Sequence, residues 1–287
     1  MGDGPPLAAV RLALPAGPET GAYPFSVPAV RGVAAAPAGL AFDRAVTCFV
    51  GENGSGKSTL LEGIAAAAGL PAVGGEEVAR DPTLAAARAL GRRLTLSWRA
   101  RTGAGFFLRA EDFFNFARRL ARMRAEHEAR AAELEEEYRA HGRSDYALGL
   151  ALGPERRSLA EMRRRYGDDL DARSHGESFL ALFQARLAPR GLFLLDEPEA
   201  ALSPQRQIAL LALMKDYAAR GAQFVVATHA PILLAYPGAR LYAFDAPDGG
   251  ADGAPPAPPR PAAYDELEHV RLTREFLADP ERFLRRL

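Results

Sequence analysis

The sequence has little of what would place the protein in a membrane or in an oxidising compartment. Its 287 residues include one cysteine, Cys48, which excludes an internal disulfide and a zinc site built from cysteines. No apolar run reaches the ~18 residues of a membrane-spanning helix. The first residues also lack the charged and apolar segments of a signal peptide. We therefore expect no membrane insertion, a cytoplasmic location, and a buried side chain at Cys48.

Net charge is also absent, because 36 basic residues balance 36 acidic ones. This balance excludes an overall basic field that would recruit nucleic acid or an anionic membrane. Arginines do cluster locally in RRLARMRAEHEAR (118–130) and ERRSLAEMRRRYGDD (155–169), although acidic residues lie close to them. A local nucleic-acid surface therefore stays open as an alternative to a solvated face.

Lysine is almost missing, since only Lys57 and Lys215 occur among the 36 basic residues. Lys57 lies in VGENGSGKST (50–59), which fits the phosphate-binding pattern G-x-x-x-x-G-K-[ST] between a predicted strand and a predicted helix. Amide groups of such a loop surround phosphates, the helix start adds positive charge, and a compact ammonium contacts the β and γ phosphates. We predict a nucleotide-binding loop formed by Asn53, Gly54, Ser55, Gly56, Lys57, Ser58 and Thr59, with Ser58 as a Mg²⁺ ligand.

The pattern of strands and helices predicts an α/β fold with a mostly parallel sheet. Continuous apolar runs, such as AVTCFV and GLFLLDE, are typical of strands that are buried on both faces. We predict strands at 7–14, 45–50, 92–100, 105–110, 191–197, 222–229 and 239–245, with helices at 57–68, 179–188, 203–220 and 280–287. The strands at 92–100 and 105–110 are expected to flank one turn.

We expect a single domain over residues 1–287, with an N-terminal β subdomain. Residues 111–173 are charged and helical in pattern, which favours a solvated helical insert, or lid, over a helix pair that binds a partner. This insert is too short for a long coiled-coil arm. The Pro/Gly-rich stretch 247–261 predicts a disordered surface loop within a hairpin.

A second polar cluster follows the predicted strand GLFLLDE. Carboxyl ends of parallel strands face the ligand crevice, so Asp196 is expected to hold Mg²⁺ and Glu197 to orient or deprotonate the attacking water. A helix cap with a solvated charge is the alternative for this pair. Glu199 is interpreted as a surface residue, and His229, at the next strand end, either contacts the γ-phosphate and the water or is a satisfied core or turn histidine.

With these residues in order, the chain resembles the ABC-type branch of P-loop ATPases, and within it the small ABC-like group named AAA family ATPases. The resemblance extends over nearly the whole chain, through the segments VTCFVGENGSGKSTLLEGIA, GFFLRAEDFF, SHGESF, LLDEPEAALSP, ATHAPILLA and FLADPERFLRRL. It implies ATP and Mg²⁺ as ligands and ATP hydrolysis as the activity.

The resemblance also implies a site shared between two copies of the chain. SHGES resembles the S-G-G-[QE] signature loop, with Ser174, Gly176 and Glu177 in the matching places, and such a loop contacts the γ-phosphate held by a second subunit. His175 departs from the pattern, because a glycine is usual there. Glu111 stands where the class has a glutamine that reaches Mg²⁺, and we keep it as a candidate metal ligand.

Three functions remain open at this point. The first is an ATPase that forms an ATP-sandwiched homodimer and acts as a conformational switch on an unknown protein or nucleic-acid partner, as in DNA repair or phage defence. The second is the nucleotide-binding subunit of a membrane transporter, and the third is a nucleotide-gated binding module with little turnover. Tyr23 and Phe25 are candidates for stacking on adenine, with core packing as the alternative.

Overall fold

The computed structural model describes residues 4–73, 85–166, 175–244 and 257–285. Its strands are β1 (Leu7–Leu12), β2 (Leu40–Ala41), β3 (Val46–Val50), β4 (Leu94–Trp98), β5 (Gly105–Arg109), β6 (Leu192–Asp196), β7 (Gln223–Ala227), β8 (Arg240–Ala243) and β9 (Arg260–Ala262). Its helices are α1 (Pro28–Ala35), α2 (Lys57–Ala68), α3 (Ala85–Gly91), α4 (Ala110–Ala140), α5 (Asp145–Tyr166), α6 (His175–Arg186), α7 (Pro204–Ala219), α8 (Pro231–Leu234), α9 (Glu268–Ala278) and α10 (Pro280–Leu284).

Within these ranges the strands form two sheets. The larger has the order β5-β6-β7-β3-β8-β9, and its pairs are parallel except for β8 and β9. The smaller is antiparallel, in the order β2-β1-β4. The predicted fold class is therefore confirmed. The larger sheet is mostly parallel, and the smaller sheet, to which β1 and β2 near the N-terminus belong, is the predicted β subdomain.

Burial explains the sheet to which each strand belongs. Every residue of β3, β6 and β7 is buried, as expected for central parallel strands covered on both faces. β4 instead alternates between partly buried and exposed residues, which suits an antiparallel strand with one solvent face. β4 and β5 flank the short connection at 99–104 as predicted, but they belong to different sheets, because β5 is mostly buried and joins the parallel sheet.

The larger sheet separates two apolar cores. One lies between the two sheets and includes α1 and α2, with Phe42, Phe49 and Ile64 fully buried. The other lies on the opposite face, where side chains of α6, α7 and α9 cover Phe193 and Phe224. Cys48 is buried in this second core, and burial raises the pKa of its thiol to about 12.

Two buried polar side chains connect the sheets. The amide of Gln223 on β7 accepts a hydrogen bond from the Leu7 N–H (2.7 Å) and donates one to the Leu7 carbonyl (3.1 Å). The Tyr242 hydroxyl on β8 donates to the Ala41 carbonyl at 2.9 Å. Because buried polar groups are costly to leave unpaired, these contacts fix how the small sheet lies on the large one.

The predicted helical insert contains α4 and α5, which pack against each other. At ~1.5 Å per residue, α4 is roughly 46 Å long. Leu120 and Leu152 are buried, whereas Met123 is 40% exposed. Ion pairs follow the helix surface, for example Arg124 with Glu128 at i, i+4.

No helix in the described ranges is both long and apolar enough to cross a bilayer.

The C-terminal region returns to the large sheet. Of the predicted loop 247–261, residues 247–256 lie outside the described ranges, and Arg260 and Pro261 belong to β9. The antiparallel pairing of β8 with β9 confirms the expected hairpin. α9 was not predicted, whereas α10 begins after Asp279 as the Asp-Pro pair indicates, with the Asp279 carboxylate accepting from the Arg282 N–H at 3.1 Å.

Candidate functional site

The P-loop, residues 51–58, runs from the end of β3 into the first turn of α2. Gly56 has a φ of 92°, and a Cβ atom there would lie 1.8 Å from Val27 Cγ1. Gly51 has a φ of 156°, and a Cβ would lie 2.3 Å from the Phe244 carbonyl oxygen. Any side chain at these positions would move α1 or the end of β8 away, so glycine is required for the loop to stay against the protein.

Lys57 is the buried cation of this loop. Its Nζ donates to the carbonyls of Gly51 and Glu52, both at 2.8 Å, and to Ser55 Oγ at 3.2 Å. Burial lowers the pKa of the ammonium, while the charges of Glu197, Asp196 and Glu199 act in the opposite direction. The acceptors of the Lys57 ammonium are therefore neutral oxygen atoms. An anionic oxygen would be a stronger acceptor for the same ammonium group.

Ser58 and Asp196 meet where α2 begins and β6 ends. Ser58 Oγ donates to Asp196 Oδ1 at 2.9 Å. Burial raises the pKa of Asp196 to about 7, and the charges of Glu197 and Glu62 add to this effect. The hydrogen bond from Ser58 and the charge of Arg109 oppose it. Asp196 is thus a buried carboxyl group with two other carboxylates nearby. A bound cation would stabilise its ionised form.

The same oxygen atoms suit a magnesium ion. A hydroxyl and a carboxylate are ligands that Mg²⁺ uses when phosphate and water complete its shell. In the described part of the chain no group of three or more His, Cys, Asp or Glu residues is arranged to hold a metal by itself. Ser58 and Asp196 together offer two oxygen ligands for such an ion.

An ion pair lies beside Asp196. Arg109, the last residue of β5, is directly opposite Asp196 in the strand register. Its Nη2 lies 2.5 Å from Oε1 of Glu62, which follows Ser58 by one helical turn on α2. Both side chains are largely buried, at 20% and 14% exposure. This pair places one positive and one negative charge next to the Asp196 carboxylate. Neither residue was predicted from the sequence.

The acidic turn, residues 196–199, begins with a strained backbone. Glu197 adopts a left-handed conformation with φ 47° and ψ 48°, and its N–H donates to the Ala227 carbonyl at 2.8 Å. A non-glycine residue in this region costs on the order of 1 kcal/mol or more and is found mainly at functional sites. The conformation turns the chain sharply after β6 and leaves the Glu197 side chain 41% exposed.

Glu199 is not the surface residue that the sequence suggested, because its side chain is only 11% exposed. Its Oε1 accepts from the Thr228 hydroxyl at 2.6 Å and from the His229 N–H at 3.1 Å. Glu199 therefore attaches the acidic turn to the THAP segment, residues 228–231. The error arose because sequence spacing alone gave no indication that the turn folds back onto β7.

His229 lies between the two glutamates. Its Nδ1 is 3.8 Å from Glu197 Oε1, and its Nε2 is 3.9 Å from Glu199 Oε1. These separations exceed hydrogen-bonding distance, and the side chain is 43% exposed. The structure thus excludes the buried-core alternative for His229. The imidazole stands beside Glu197 at the same edge of the sheet as Lys57 and Asp196.

The remaining predicted site residues are only partly described. Asn53 and Gly54 are exposed at the tip of the P-loop, Ser55 is buried, and Thr59 is partly buried on α2. Ser174 lies outside the described residues. Gly176 and Glu177 are in the first turn of α6, and Glu111 is in the first turn of α4, but the side chains of the two glutamates lie outside the description.

The two aromatic candidates for adenine separate clearly. Phe25 is 7% exposed and packs in the core between the sheets, so core packing is its role. Tyr23 is 61% exposed. Both aromatic side chains line a cavity of about 450 Å³, together with Glu19, Arg92 and Arg93. Tyr23 is therefore the more accessible of the two candidates, and contact with a base stays a prediction.

Comparisons with known proteins point to the same class. Residues 178–235 match a family described as "AAA domain, putative AbiEii toxin, Type IV TA system", and residues 37–76 match one described as "AAA domain". The first segment contains the acidic turn and the THAP segment, and the second contains the P-loop. No curated protein matches the chain.

Solved structures with a similar course of the chain have low identity to it. The SMC head domain from Thermotoga maritima is 17% identical with a TM-score of 0.40, covering 78% of this chain and 92% of that one. CbiO1 from Clostridium perfringens, part of the ABC transporter complex cbiONQ, is 14% identical with a TM-score of 0.39, covering 87% and 92%. Likeness at this level carries no functional argument. The two family matches confirm the predicted resemblance to AAA family ATPases over residues 37–76 and 178–235.

Proposed function

We propose that the protein binds Mg-ATP at the P-loop and hydrolyses it. The observation that carries this proposal is that the ends of β3, β6 and β7 bring Lys57, Asp196, Glu197 and His229 to one edge of the sheet. A cation for phosphate, a carboxylate for Mg²⁺ and a carboxylate beside an imidazole are the groups that phosphoryl transfer to water requires.

Each residue has a distinct task in this proposal. P-loop amides and Lys57 bind the phosphates, while Ser58 and Asp196 hold Mg²⁺, with Glu111 as a further candidate ligand. When bound, Mg²⁺ neutralises developing charge on the phosphate oxygens. Glu197 accepts a proton from the attacking water, and His229 contacts the γ-phosphate and that water. The 41% exposure of Glu197 supports this task, because a water molecule can reach the carboxylate.

We further propose that two copies of the chain complete the site. Ser174, Gly176 and Glu177 of one copy would contact the γ-phosphate held by the other, so that ATP binding closes the dimer and hydrolysis opens it. This switch would act on a protein or nucleic-acid partner. The first support is the order of the SHGES and acidic-turn motifs along the chain. The second is that the side chains of His229 and Glu197 are exposed, so the side of the proposed site where the γ-phosphate would lie is open to a second copy.

The test measures mass by light scattering after size-exclusion chromatography. Glu197→Gln should bind Mg-ATP, lose at least ~100-fold in phosphate release because the general base is removed, and elute as a dimer with Mg-ATP and as a monomer without it. The matched control is Glu126→Gln, an exposed glutamate on α4 that should behave as wild type. Adding Ser174→Arg to Glu197→Gln should restore the monomer.

Two outcomes would reject parts of the proposal. Unchanged phosphate release by Glu197→Gln would assign the base to another residue. A nucleotide-loaded Glu197→Gln protein that stays monomeric at concentrations well above the ATP dissociation constant would reject the shared site while leaving ATP binding intact.

A further inference from the structure

The helices α9 and α10 carry a cluster of exposed apolar side chains. Leu272, Phe276, Leu277 and Leu284 are 55%, 40%, 71% and 57% exposed, and we call these four residues the α9–α10 surface. They are four of the nine large apolar side chains that are exposed in the described part of the chain, although the two helices have only 11 and 5 residues. Single exposed leucines are ordinary, whereas a cluster is typical of a surface that another molecule covers.

The spacing of the apolar residues makes α9 an amphipathic helix. Leu272 and Phe276 are four residues apart, and Leu277 lies seven residues after the buried Val270, so these side chains belong to one broad apolar side. The other side carries the charged residues of the helix, which are Glu268, Arg271, Arg274 and Glu275. The core covers only the beginning of the apolar side, and the later turns present theirs to solvent.

α10 extends the same surface. The rings of Phe276 and Phe283 pack edge to face with their centroids 5.7 Å apart, which holds α10 against α9. Leu284 follows Phe283 directly, so the exposed leucine of α10 lies close to the apolar side of α9. The start of α10 is capped, because the Asp279 carboxylate accepts from the Arg282 N–H at 3.1 Å. The exposed side chains therefore belong to packed and capped helices and not to a frayed segment.

The start of α9 is attached to the THAP segment. Leu267 and Val270 are buried in the same apolar core as Ala230. Just before α9, the Tyr264 hydroxyl donates to the Pro231 carbonyl at 3.0 Å. Both contacts are to the segment that carries the exposed His229 at the edge of the large sheet. The α9–α10 surface is therefore continuous with the face that a second copy would cover in the proposed dimer.

The charges around this surface favour a second copy over a charged partner. Residues 268–285 contain four arginines and four acidic residues. A balanced rim of this kind does not attract nucleic acid or an anionic membrane. The whole chain is likewise balanced, with 36 basic and 36 acidic residues, so a copy of it can approach without net repulsion.

The size of the surface favours a dimer that forms only under some conditions. Four side chains at these exposures leave several hundred Å² of apolar area, which is large for a patch on a monomer. Covered on both copies, this area still stays below the ~1,200 Å² from which stable interfaces begin. The surface is thus too small to hold a permanent dimer and suits one that a ligand closes.

We propose that a second copy of the chain covers the α9–α10 surface in the dimer that Mg-ATP closes. This inference rests on the proposed function and extends it, because it adds an apolar contact to an interface otherwise assigned to the shared nucleotide. The leucines stabilise the closed dimer without touching ATP. Hydrolysis uncovers them again as the two copies separate.

The first test measures the dimer dissociation constant by analytical ultracentrifugation with Mg-ATP, in the Glu197→Gln protein so that ATP persists. Adding Leu272→Ser and Leu277→Ser together should raise this constant by at least ~10-fold, because two apolar side chains of each copy lose their burial. ATP affinity should stay unchanged, since neither leucine belongs to the P-loop or the acidic turn. Leu150→Ser on α5 is the matched control, because this leucine is 65% exposed, and it should leave the dimer unchanged.

The second test needs no change in the α9–α10 surface. Hydrogen exchange of the amides in residues 268–284 should slow when Mg-ATP closes the Glu197→Gln dimer, because covered helix turns open less often. The same amides should exchange at their nucleotide-free rate in Glu197→Gln with Ser174→Arg, which is expected to bind Mg-ATP as a monomer. This measurement decides the question even if the double leucine variant fails to fold.

Three outcomes would overturn the inference. A folded double variant that dimerises as tightly as its parent, or exchange in residues 268–284 that is equal in monomer and dimer, would show that the second copy does not cover the surface. Slower exchange in the nucleotide-loaded monomer would show that the chain covers it by itself. The proposed function fails separately: if the Glu197→Gln parent stays monomeric with Mg-ATP, the shared site is wrong and this inference falls with it.

Discussion

The P-loop and the acidic turn face each other, but they differ in how their polar groups are paired. Lys57 in the P-loop makes three hydrogen bonds within its own loop. In the acidic turn, Asp196 has a pKa raised to about 7, Glu197 has a left-handed backbone, and Glu199 has a buried Oε2 without a partner. The positive side of the site is thus internally satisfied, and the negative side is strained and crowded with charge.

This difference indicates which side of the site gains most in stability when a ligand binds. The P-loop is built before any phosphate arrives, so little reorganisation is needed there. The carboxylates of the acidic turn accept hydrogen bonds, but they would be stabilised further by a cation, which suits a region whose interactions change during the reaction. Three experiments test the contrast between a satisfied and an unsatisfied side, beginning with the largest expected effect.

Lys57→Ala should reduce affinity for both ATP and ADP by at least ~100-fold, because the lysine provides charge-assisted contacts worth about 1.5–3 kcal/mol each. Fluorescence titration with a labelled nucleotide measures the change. Lys215→Ala is the matched control, since this second lysine is exposed on α7. If Lys57→Ala retained full affinity, the satisfied P-loop would be a structural turn and not a binding site.

Glu199→Ala should slow ATP hydrolysis by about 10-fold while changing ATP affinity little. The substitution removes the acceptor of the Thr228 hydroxyl and the His229 N–H, so the THAP segment loses its attachment to the acidic turn. Unfolding free energy should also fall by about 1–3 kcal/mol. Steady-state phosphate release and chemical denaturation measure the two effects.

Glu199→Gln is the control for this change, because it keeps an oxygen acceptor and should retain most of the activity. An Ala variant with wild-type turnover and stability would mean that the two segments hold their positions without the carboxylate. The contrast drawn above would then apply to Asp196 and Glu197 alone.

Asp196→Asn should raise the melting temperature in the absence of Mg²⁺ and nucleotide at pH 8, by several degrees at most. The folded-state pKa of Asp196 is about 7, above the value of 3.8 for an unfolded chain. The unfolded state therefore releases this proton first, and the wild type loses stability as pH rises from about 4 to about 7, by up to ~4 kcal/mol. The asparagine has no such dependence.

The difference between the two proteins should accordingly vanish near pH 4 and be largest at pH 8, as followed by thermal denaturation at several pH values. Mg-ATP should then reverse the order and stabilise the wild type more, because the asparagine is a poor Mg²⁺ ligand. A wild-type protein as stable as the variant at pH 8 would show that the buried carboxylate is not strained.

Sequence patterns predicted the central sheet well for a physical reason. β3, β6 and β7 are short and fully buried, so their apolar runs are continuous. A glycine-rich stretch follows β3 and an acidic stretch follows β6. The P-loop motif depends on local backbone requirements, such as the glycine at position 56, and these are readable from the residues themselves. The placement of Lys57 opposite Asp196 then follows from the parallel sheet.

What the sequence did not predict depends on contacts between distant segments. Arg109 and Glu62 meet because β5 lies beside β6 and α2 crosses both, and Glu199 is buried because the acidic turn folds against the end of β7. α9 begins after Leu267, which is not a capping residue, in a region where the sequence predicted only the helix at 280–287. Nothing in the sequence marks these residues as partners, and only the fold shows which charges are neighbours.

The solitary thiol of Cys48 offers a practical advantage. With a pKa of about 12 and a position inside the second core, it carries almost no thiolate near neutral pH and lies out of reach of reagents. A cysteine engineered on the surface could therefore take a spin label or a fluorophore without first removing the native one. A single substitution would then test the proposed dimer directly, because the separation between labels in two associated copies could be measured with and without Mg-ATP.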